Sequence, residues 1–172
     1  MFIMKTKYIV LIGAVIIPFL AGCASNPMAL APVGPDAISR AVPGTKGYLQ
    51  VFSATVKSPP IASDDPAYFN LHTGYDINDA AGKSVKFVPN HASNMDEWPD
   101  EVRLPAGKYN IVAESTCCGL VTVPVVIQQG KTTAVHLDGN WWPPSNTAAN
   151  QLVFLPNGEA VGWSSFITKS SE

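Results

Sequence analysis

The sequence contains little charge, few cysteines and almost no signature of catalysis. Charged residues make up 14 % of the 172 positions, the formal net charge is −2, and there are only 3 cysteines and 3 histidines. The lysines and arginines are scattered, without a run or a stripe, which argues against a nucleic-acid partner. The motifs GxSxG, HExxH and CxxC do not occur. We therefore predict that the chain is not an enzyme and needs no cofactor.

The most apolar stretch lies at the N-terminus. Lys5 and Lys7 precede an almost wholly apolar run from Tyr8 to Leu20, the pattern of an export signal. As a helix, these 13 residues reach roughly 20 Å, which is less than the ~30 Å core of a bilayer. We expect residues 1–22 to be a signal peptide; a short transmembrane anchor is the alternative.

The apolar run ends in Leu20-Ala21-Gly22-Cys23, which resembles the lipobox of bacterial lipoprotein signal peptides. The resemblance implies cleavage before Cys23, a diacylglyceryl thioether on its sulfur and acylation of the new amine. Each buried CH₂ of acyl chain contributes about 0.8 kcal/mol, so several chains give stable anchoring. Because Ala24 rather than aspartate follows, the sorting rules of such lipoproteins imply the bacterial outer membrane. The alternative is an accidental match.

The segment after the lipobox, residues 23–45, is rich in proline. Prolines at positions 27, 32, 35 and 43 disfavour both helix and central strand, so we expect a semi-extended tether. Part of it can still pack on the domain, since Met28, Leu30, Val33 and Ile38 are apolar. Loss of Lys5 and Lys7 with the signal would make the remaining chain more acidic, and we expect no attraction to anionic lipid headgroups.

Residues 46–172 consist of short alternating runs bounded by glycine, proline, asparagine and aspartate, and no segment shows a period of 3.6. This pattern predicts an all-β fold, a single two-layer β-sandwich of about seven or eight mostly antiparallel strands. Pro124 predicts an edge strand or a bulge. Asn157-Gly158 predicts a type I′ hairpin turn. The strands are predicted in 47–56, 71–77, 84–88, 101–115, 120–127, 132–137 and 151–163.

The stretch from 102 to 137, VRLPAGKYNIVAES…VTVPVVIQQGKTTAVHL, resembles the carboxypeptidase-regulatory, or transthyretin-like, β-sandwich family. The shared pattern is L-P-x-G-x-Y, followed by a strand, a loop, a second strand, a glycine turn and a third strand. The resemblance implies a fold and an accessory, adhesive or scaffold role, with no catalytic residues. The whole chain is also similar to uncharacterised bacterial lipoproteins that end in hairpins of the LPNGEAVGW type.

Cys117 and Cys118 are adjacent and precede Gly119. An exported domain meets an oxidising compartment, so the two thiols can form a vicinal disulfide that stiffens a turn between two core strands. They can also remain two reduced, partly buried small side chains. A redox or copper-binding role is the third hypothesis, although the stronger CxxC signal is absent.

The proline-rich loop GNWWPPSN places Trp141 beside Trp142 and is the segment most suggestive of binding. The pair can stack on a sugar ring or grip a peptide, or one tryptophan can seal the end of the sandwich. Trp98 and Trp163 have the same two interpretations. The acidic loop around Asp96 can hold calcium, but a solvated loop is the simpler interpretation.

The histidines His72, His91 and His136 lie in three different segments, and no HxH spacing occurs. We therefore predict no metal site, although folding can still bring dispersed ligands together. The sequence as a whole predicts a lipid-anchored, non-catalytic β-sandwich for protein interaction or envelope organisation. The alternative function is glycan binding at Trp141 and Trp142.

Overall fold

A computed structural model describes residues 30–35, 44–58, 69–91, 93 and 95–165 of the chain. The predicted signal peptide 1–22, the lipid-bearing Cys23 and the tether segments 24–29 and 36–43 lie outside these residues. Within the described ranges, the single helix is a 3₁₀ turn, Ala149–Gln151. No helix in these ranges is both long and apolar enough to cross a bilayer.

Strands dominate the described residues and form three sheets. The prediction of an all-β sandwich is thereby confirmed, although short strands raise the number above the predicted seven or eight. In chain order the strands are β1 (Val33–Gly34), β2 (Lys46–Phe52), β3 (Thr55–Lys57), β4 (Asn70–His72), β5 (Tyr75–Asp79), β6 (Ser84–Val88), β7 (Glu101–Pro105), β8 (Gly107–Ser115), β9 (Gly119–Ile127), β10 (Thr132–His136), β11 (Leu152–Phe154) and β12 (Ala160–Ser164).

A seven-stranded sheet, ordered β11-β12-β1-β9-β8-β5-β6, faces a three-stranded sheet, ordered β10-β2-β7. A two-stranded sheet, β3-β4, completes the fold. Most neighbours are antiparallel, but β1 pairs with β9 and β10 pairs with β2 in parallel. The parallel pairing of β10 with β2 matters for function, because both strands then finish at the same end of the sandwich.

The core lies between the two large sheets and is built by alternation along each strand. On β2, Leu49 and Val51 are fully buried, whereas the alternate residues Tyr48, Gln50 and Phe52 are half-buried on the outer face of the three-stranded sheet. The same alternation buries residues from both sheets, including Val102, Leu104, Ile111, Ala113, Val123, Val125, Ile127 and Val135.

Part of the predicted tether belongs to the sandwich. Val33 pairs with Ser164 of β12 and with Val125 of β9, and none of its surface is exposed to solvent. Gly34 fits there because a Cβ atom would meet the backbone of Ser165 at 2.7 Å. The domain therefore begins before the expected boundary at residue 46, since an apolar valine here gains more from the core than from a solvated tether.

Two predicted strands are each divided in the structure. The run 47–56 becomes β2 and β3, separated at Ser53 and Ala54, and the run 71–77 becomes β4 and β5, separated at Thr73 and Gly74. In both cases one half joins a large sheet and the other half joins the small β3-β4 sheet.

Two local predictions were wrong. Asn157 does not have the positive φ that a type I′ turn needs; only Gly158 does, with φ 88°. The amide of Gly158 donates to the carbonyl of Leu155 at 2.9 Å, which places Pro156 second in the turn, where its fixed φ favours type I. Pro124 was predicted on an edge strand or at a bulge, but it lies on β9 inside the large sheet. Its missing N–H is tolerated there because the neighbouring strand β1 is only two residues long and forms few hydrogen bonds with β9.

Candidate functional site

A row of aromatic rings crosses the end of the three-stranded sheet where β2 and β10 finish. Phe52 and His136 are register partners on these parallel strands, and their rings stack with centroids 4.5 Å apart and planes 16° apart. Trp141 follows β10 and also stacks on His136, at 4.5 Å and 7°. His136 thus stands between two aromatic rings, which holds all three in one orientation.

The row continues on both sides of this stack. Trp163 of β12 meets Trp141 edge to face, with centroids 6.3 Å apart. On the other side, His72 and Trp98 both meet Phe52 edge to face, at 5.8 and 6.3 Å. Trp98 remains 70 % exposed, so this end of the row presents a large aromatic surface to solvent.

An open groove of about 340 Å³ lies beside Phe52 at this end of the row. We call it the aromatic groove, and we call this end of the sandwich the groove end. Its lining combines aromatic rings with amides, carboxylates and a hydroxyl, from Phe52, Thr55, Asn70, His72, Glu97, Trp98, Asp138 and Asn140. Such a surface can pack against the apolar face of a ring and hydrogen-bond its polar substituents at the same time.

The carboxylates of the aromatic groove accept hydrogen bonds from backbone and side-chain amides. An Oε1 atom of Glu97 accepts from the Asn70 amide at 2.8 Å. The carboxylate of Asp138 accepts from the Asn140 backbone at 3.4 Å and from its Nδ2 at 3.2 Å. A carboxylate that keeps a fixed orientation loses less side-chain entropy when a ligand hydroxyl donates to it.

His72 is held in one tautomer. Its Nδ1 lies 2.7 Å from the carbonyl oxygen of Ser53, and a carbonyl can only accept, so Nδ1 carries the hydrogen. The side chain is almost fully buried, with 5 % exposure. This bond fixes the ring that forms the floor of the groove against Phe52.

Asn90 ties together the segments that carry the groove. Its Nδ2 donates to the carbonyl of Val51 at 2.8 Å, to Ser53 Oγ at 2.9 Å and to the carbonyl of Thr73 at 3.3 Å. Its Oδ1 accepts from the amide of Asp100 at 3.2 Å. Val51 and Ser53 flank Phe52, Thr73 follows His72, and Asp100 lies two residues after Trp98. The fully buried amide of Asn90 therefore helps to position all three rings. Asn90 also has a positive φ of 72°, which asparagine tolerates better than most residues.

The β8–β9 turn lies at the groove end as well. In the structure the Sγ atoms of Cys117 and Cys118 are joined as a vicinal disulfide, and Gly119 follows with φ 67°. The amide of Thr116 donates to the carbonyl of Leu137 at 2.9 Å, next to Asp138 of the groove. The redox state of these cysteines in the protein stays a prediction that thiol counting tests.

The two tryptophans singled out in the sequence have different surroundings. Trp141 is half-buried in the ring stack, whereas Trp142 is 86 % exposed. Neither lines the aromatic groove, which instead uses Phe52 and Trp98. A signal for Phe52 was present in the sequence, because alternation along β2 puts this apolar side chain on the polar face of the strand.

The remaining candidate ligands stay dispersed within the described part of the chain. No three histidine, cysteine, aspartate or glutamate side chains there come together as a metal site. His72 and His136 lie on either side of Phe52, while His91 belongs to the loop after β6. The predicted absence of a metal and of a cofactor stays a prediction.

Comparison of the chain with protein-family models, with curated proteins and with solved structures finds no match. The resemblances to lipoproteins and to the transthyretin-like family therefore remain predictions from residue patterns. What the structure adds is the fold and the aromatic groove.

Proposed function

We propose that the chain is a lipid-anchored, non-catalytic binding module of the bacterial cell envelope, and that its β-sandwich binds a glycan in the aromatic groove. The anchoring part of the proposal derives from Leu20-Ala21-Gly22-Cys23, which follows a short apolar run. The glycan part derives from the groove alone. The two parts are independent and need separate tests.

One observation carries the glycan proposal: the rings of Phe52 and Trp98 line the same open groove as the polar side chains of Asp138, Asn140 and Glu97. A sugar ring has an apolar C–H face that packs on an aromatic ring and a rim of hydroxyls that act as donors and acceptors. The volume of about 340 Å³ falls within the range of small-ligand pockets, ~300–1,000 Å³.

The charge of the groove narrows the class of glycan. Glu97 and Asp138 are carboxylates, and no lysine or arginine lines the groove among the described residues. An anionic sugar, such as a uronic acid or a phosphorylated sugar, would be repelled by them. The groove therefore favours a neutral sugar or an amino sugar, whose ammonium group would gain from both carboxylates.

A glycan-binding assay with matched variants tests this proposal. Trp98→Ala should weaken binding at least about fivefold, because aromatic contacts contribute about 1 kcal/mol beyond the area they bury. Asp138→Asn should lower affinity most for an amino sugar. Trp142→Ala serves as the control, since Trp142 is exposed outside the groove. Binding that survives Trp98→Ala but is lost on changing Trp141 and Trp142 together would place the site on the loop instead.

A second candidate, binding of a protein partner, has one specific observation in its favour. β6 is an edge strand of the large sheet, and Val85 and Phe87 on it are 48 % and 60 % exposed. Apolar side chains on an unpaired strand edge are suited to adding a strand from another chain. Crosslinking in intact cells, compared between the natural chain and Phe87→Lys, tests it: a partner that is captured equally by both chains does not use this edge.

A further inference from the structure

Most of the lysine and arginine side chains of the described domain lie at one of its ends. At the end where β2 begins, strand pairing and turns bring together cations that are far apart in the sequence. Lys46 pairs with Pro105, Gly107 pairs with Ile127, and the turn after Ile127 returns to Lys46 through an amide–carbonyl bond from Gly130 of 2.9 Å. We call this the basic end; its cations are Lys46, Lys83, Arg103, Lys108 and Lys131.

Most of the acidic side chains in the described ranges lie toward the opposite end. Those in the described loops and strand ends around the aromatic groove are Asp96, Glu97, Asp100, Glu101, Glu114 and Asp138. The exception at the basic end is Asp79, whose Oδ1 accepts from the amides of Ala81 and Lys83 at 2.9 Å each. The acidic net charge of the whole chain therefore conceals a cationic surface opposite the groove.

A cleft at the basic end has two cationic side chains in its lining, Lys46 and Arg103. It has a volume of about 230 Å³ and is lined by Gly44, Thr45, Lys46, Tyr48 and Arg103, with no carboxylate among them. Arg103 and Tyr48 are register partners on neighbouring strands, and the guanidinium carbon lies 5.3 Å from the ring centroid. This cation–π contact holds the guanidinium near Lys46, so two positive groups face one cleft.

The chain that follows the predicted anchor passes beside residues of the basic end. Pro32, which precedes β1, shares a small cavity with Ala80 and Lys108 of the basic end. Only the residues from Cys23 to Ala29 separate the predicted lipid from Leu30, where the described chain begins. Even fully extended, that length spans about 25 Å. An anchored domain is thus confined close to the bilayer, within reach of its headgroups.

We propose that the basic end is the membrane-facing surface of the domain and that its cleft binds the phosphate of an anionic phospholipid headgroup. The aromatic groove then points away from the bilayer, toward its ligand. The net negative charge does not oppose this docking, because salt screens charges beyond about 8 Å and the acidic end lies farther from the surface. The inference rests on the proposed anchoring at Cys23 and is independent of the glycan.

Hydrogen exchange on the full-length lipidated protein tests the inference. The protein is reconstituted in vesicles of phosphatidylcholine alone or with about one third phosphatidylglycerol. We expect backbone amides in 44–48 and 103–108 to exchange at least about fivefold more slowly in the anionic vesicles, since each cation near such a surface strengthens binding about fivefold. High salt should abolish the difference.

Charge-matched variants separate specific docking from net charge. Lys46→Gln combined with Arg103→Gln should remove the protection. Lys57→Gln combined with Lys86→Gln changes the net charge equally but lies outside the basic end and should leave the protection intact. Glycan binding, measured on the same samples, should be the same in all of them, so a failure of the glycan proposal is seen separately.

Four results would overturn the inference. The first is equal exchange in the two kinds of vesicle. The second is equal loss of protection in both double variants, which would reduce the effect to net charge. The third is full protection by inorganic phosphate in phosphatidylcholine vesicles, which would assign the cleft to a soluble anion. A mass spectrum without the diacylglyceryl group on Cys23 would remove its premise and overturn it as well.

Discussion

Replacing Asn90 tests whether one buried amide organises the groove. Its side chain satisfies the carbonyls of Val51 and Thr73 and the amide of Asp100. Leaving a buried polar group without its partner costs about 1 kcal/mol or more. With three backbone groups affected, Asn90→Gly should lower the free energy of unfolding by about 3 kcal/mol, a large part of the 5–15 kcal/mol typical of a domain.

Asn90→Ala should cost about 1 kcal/mol more than Asn90→Gly. Both variants lose the same hydrogen bonds, but alanine must adopt the left-handed φ of 72° that glycine accepts without strain. Unfolding in urea, extrapolated linearly to water, measures both values. The difference in unfolding free energy between the two variants therefore tests the backbone geometry at residue 90. The decrease that both variants share tests the hydrogen bonds.

Two outcomes would refute this reasoning. If both variants unfold within about 0.5 kcal/mol of the natural chain, the amide does not hold the segments together. If the alanine variant is as stable as the glycine variant or more stable, the φ of 72° at residue 90 is not present in solution. If both variants lose glycan affinity at temperatures where they remain folded, the shape of the aromatic groove depends on the Asn90 amide.

Further predictions concern the disulfide, a buried tyrosine and a close backbone contact. Thiol titration of the purified, unfolded protein should find neither Cys117 nor Cys118 free; two titratable thiols would rule out the bridge. Burial, together with the negative charge of Asp100, raises the pKa of Tyr75 above its ordinary 10.0, so stability should fall as pH rises above 10.0, where only the unfolded state ionises. In Tyr75→Phe, the decrease in unfolding free energy above pH 10.0 should be smaller by up to about 1.4 kcal/mol per pH unit. The same decrease in both proteins, measured by urea titrations at several pH values, would contradict this prediction. Gly47→Ala should destabilise the domain by about 3 kcal/mol in the same titrations, because a Cβ atom would overlap the carbonyl oxygen of Gln128; a neutral effect would mean that the sheets can separate there.

The strands of the sandwich could be predicted because their signal is local. Period-two alternation along β8, β9 and β10 places Ile111, Val123 and Val135 in the core, as the pattern requires. Alternation also paired Val85 with Phe87 on one face of β6, but it does not say whether that face meets solvent. In the structure, Val85 and Phe87 are exposed to solvent on β6, which lies at the edge of its sheet.

The breaks in two predicted strands could not be read from the sequence. Ser53 and Thr73 interrupt β-like runs because both bind Asn90, which lies 37 and 17 residues farther along the chain. The groove has the same origin, since Phe52, Trp98 and Asp138 meet only after three distant segments fold. The cations behave likewise: they are scattered in the sequence, and strand pairing gathers them at the basic end.

The central claim is that a glycan occupies the aromatic groove, and the indole N–H signals of the 4 tryptophans test it most directly. A nuclear magnetic resonance titration with a sugar selected on a glycan array should shift the Trp98 indole signal and the ring signals of His72. The Trp142 indole should stay in place, because that side chain is exposed outside the groove. Shifts confined to Trp142, or no shift with any sugar on the array, would contradict the account.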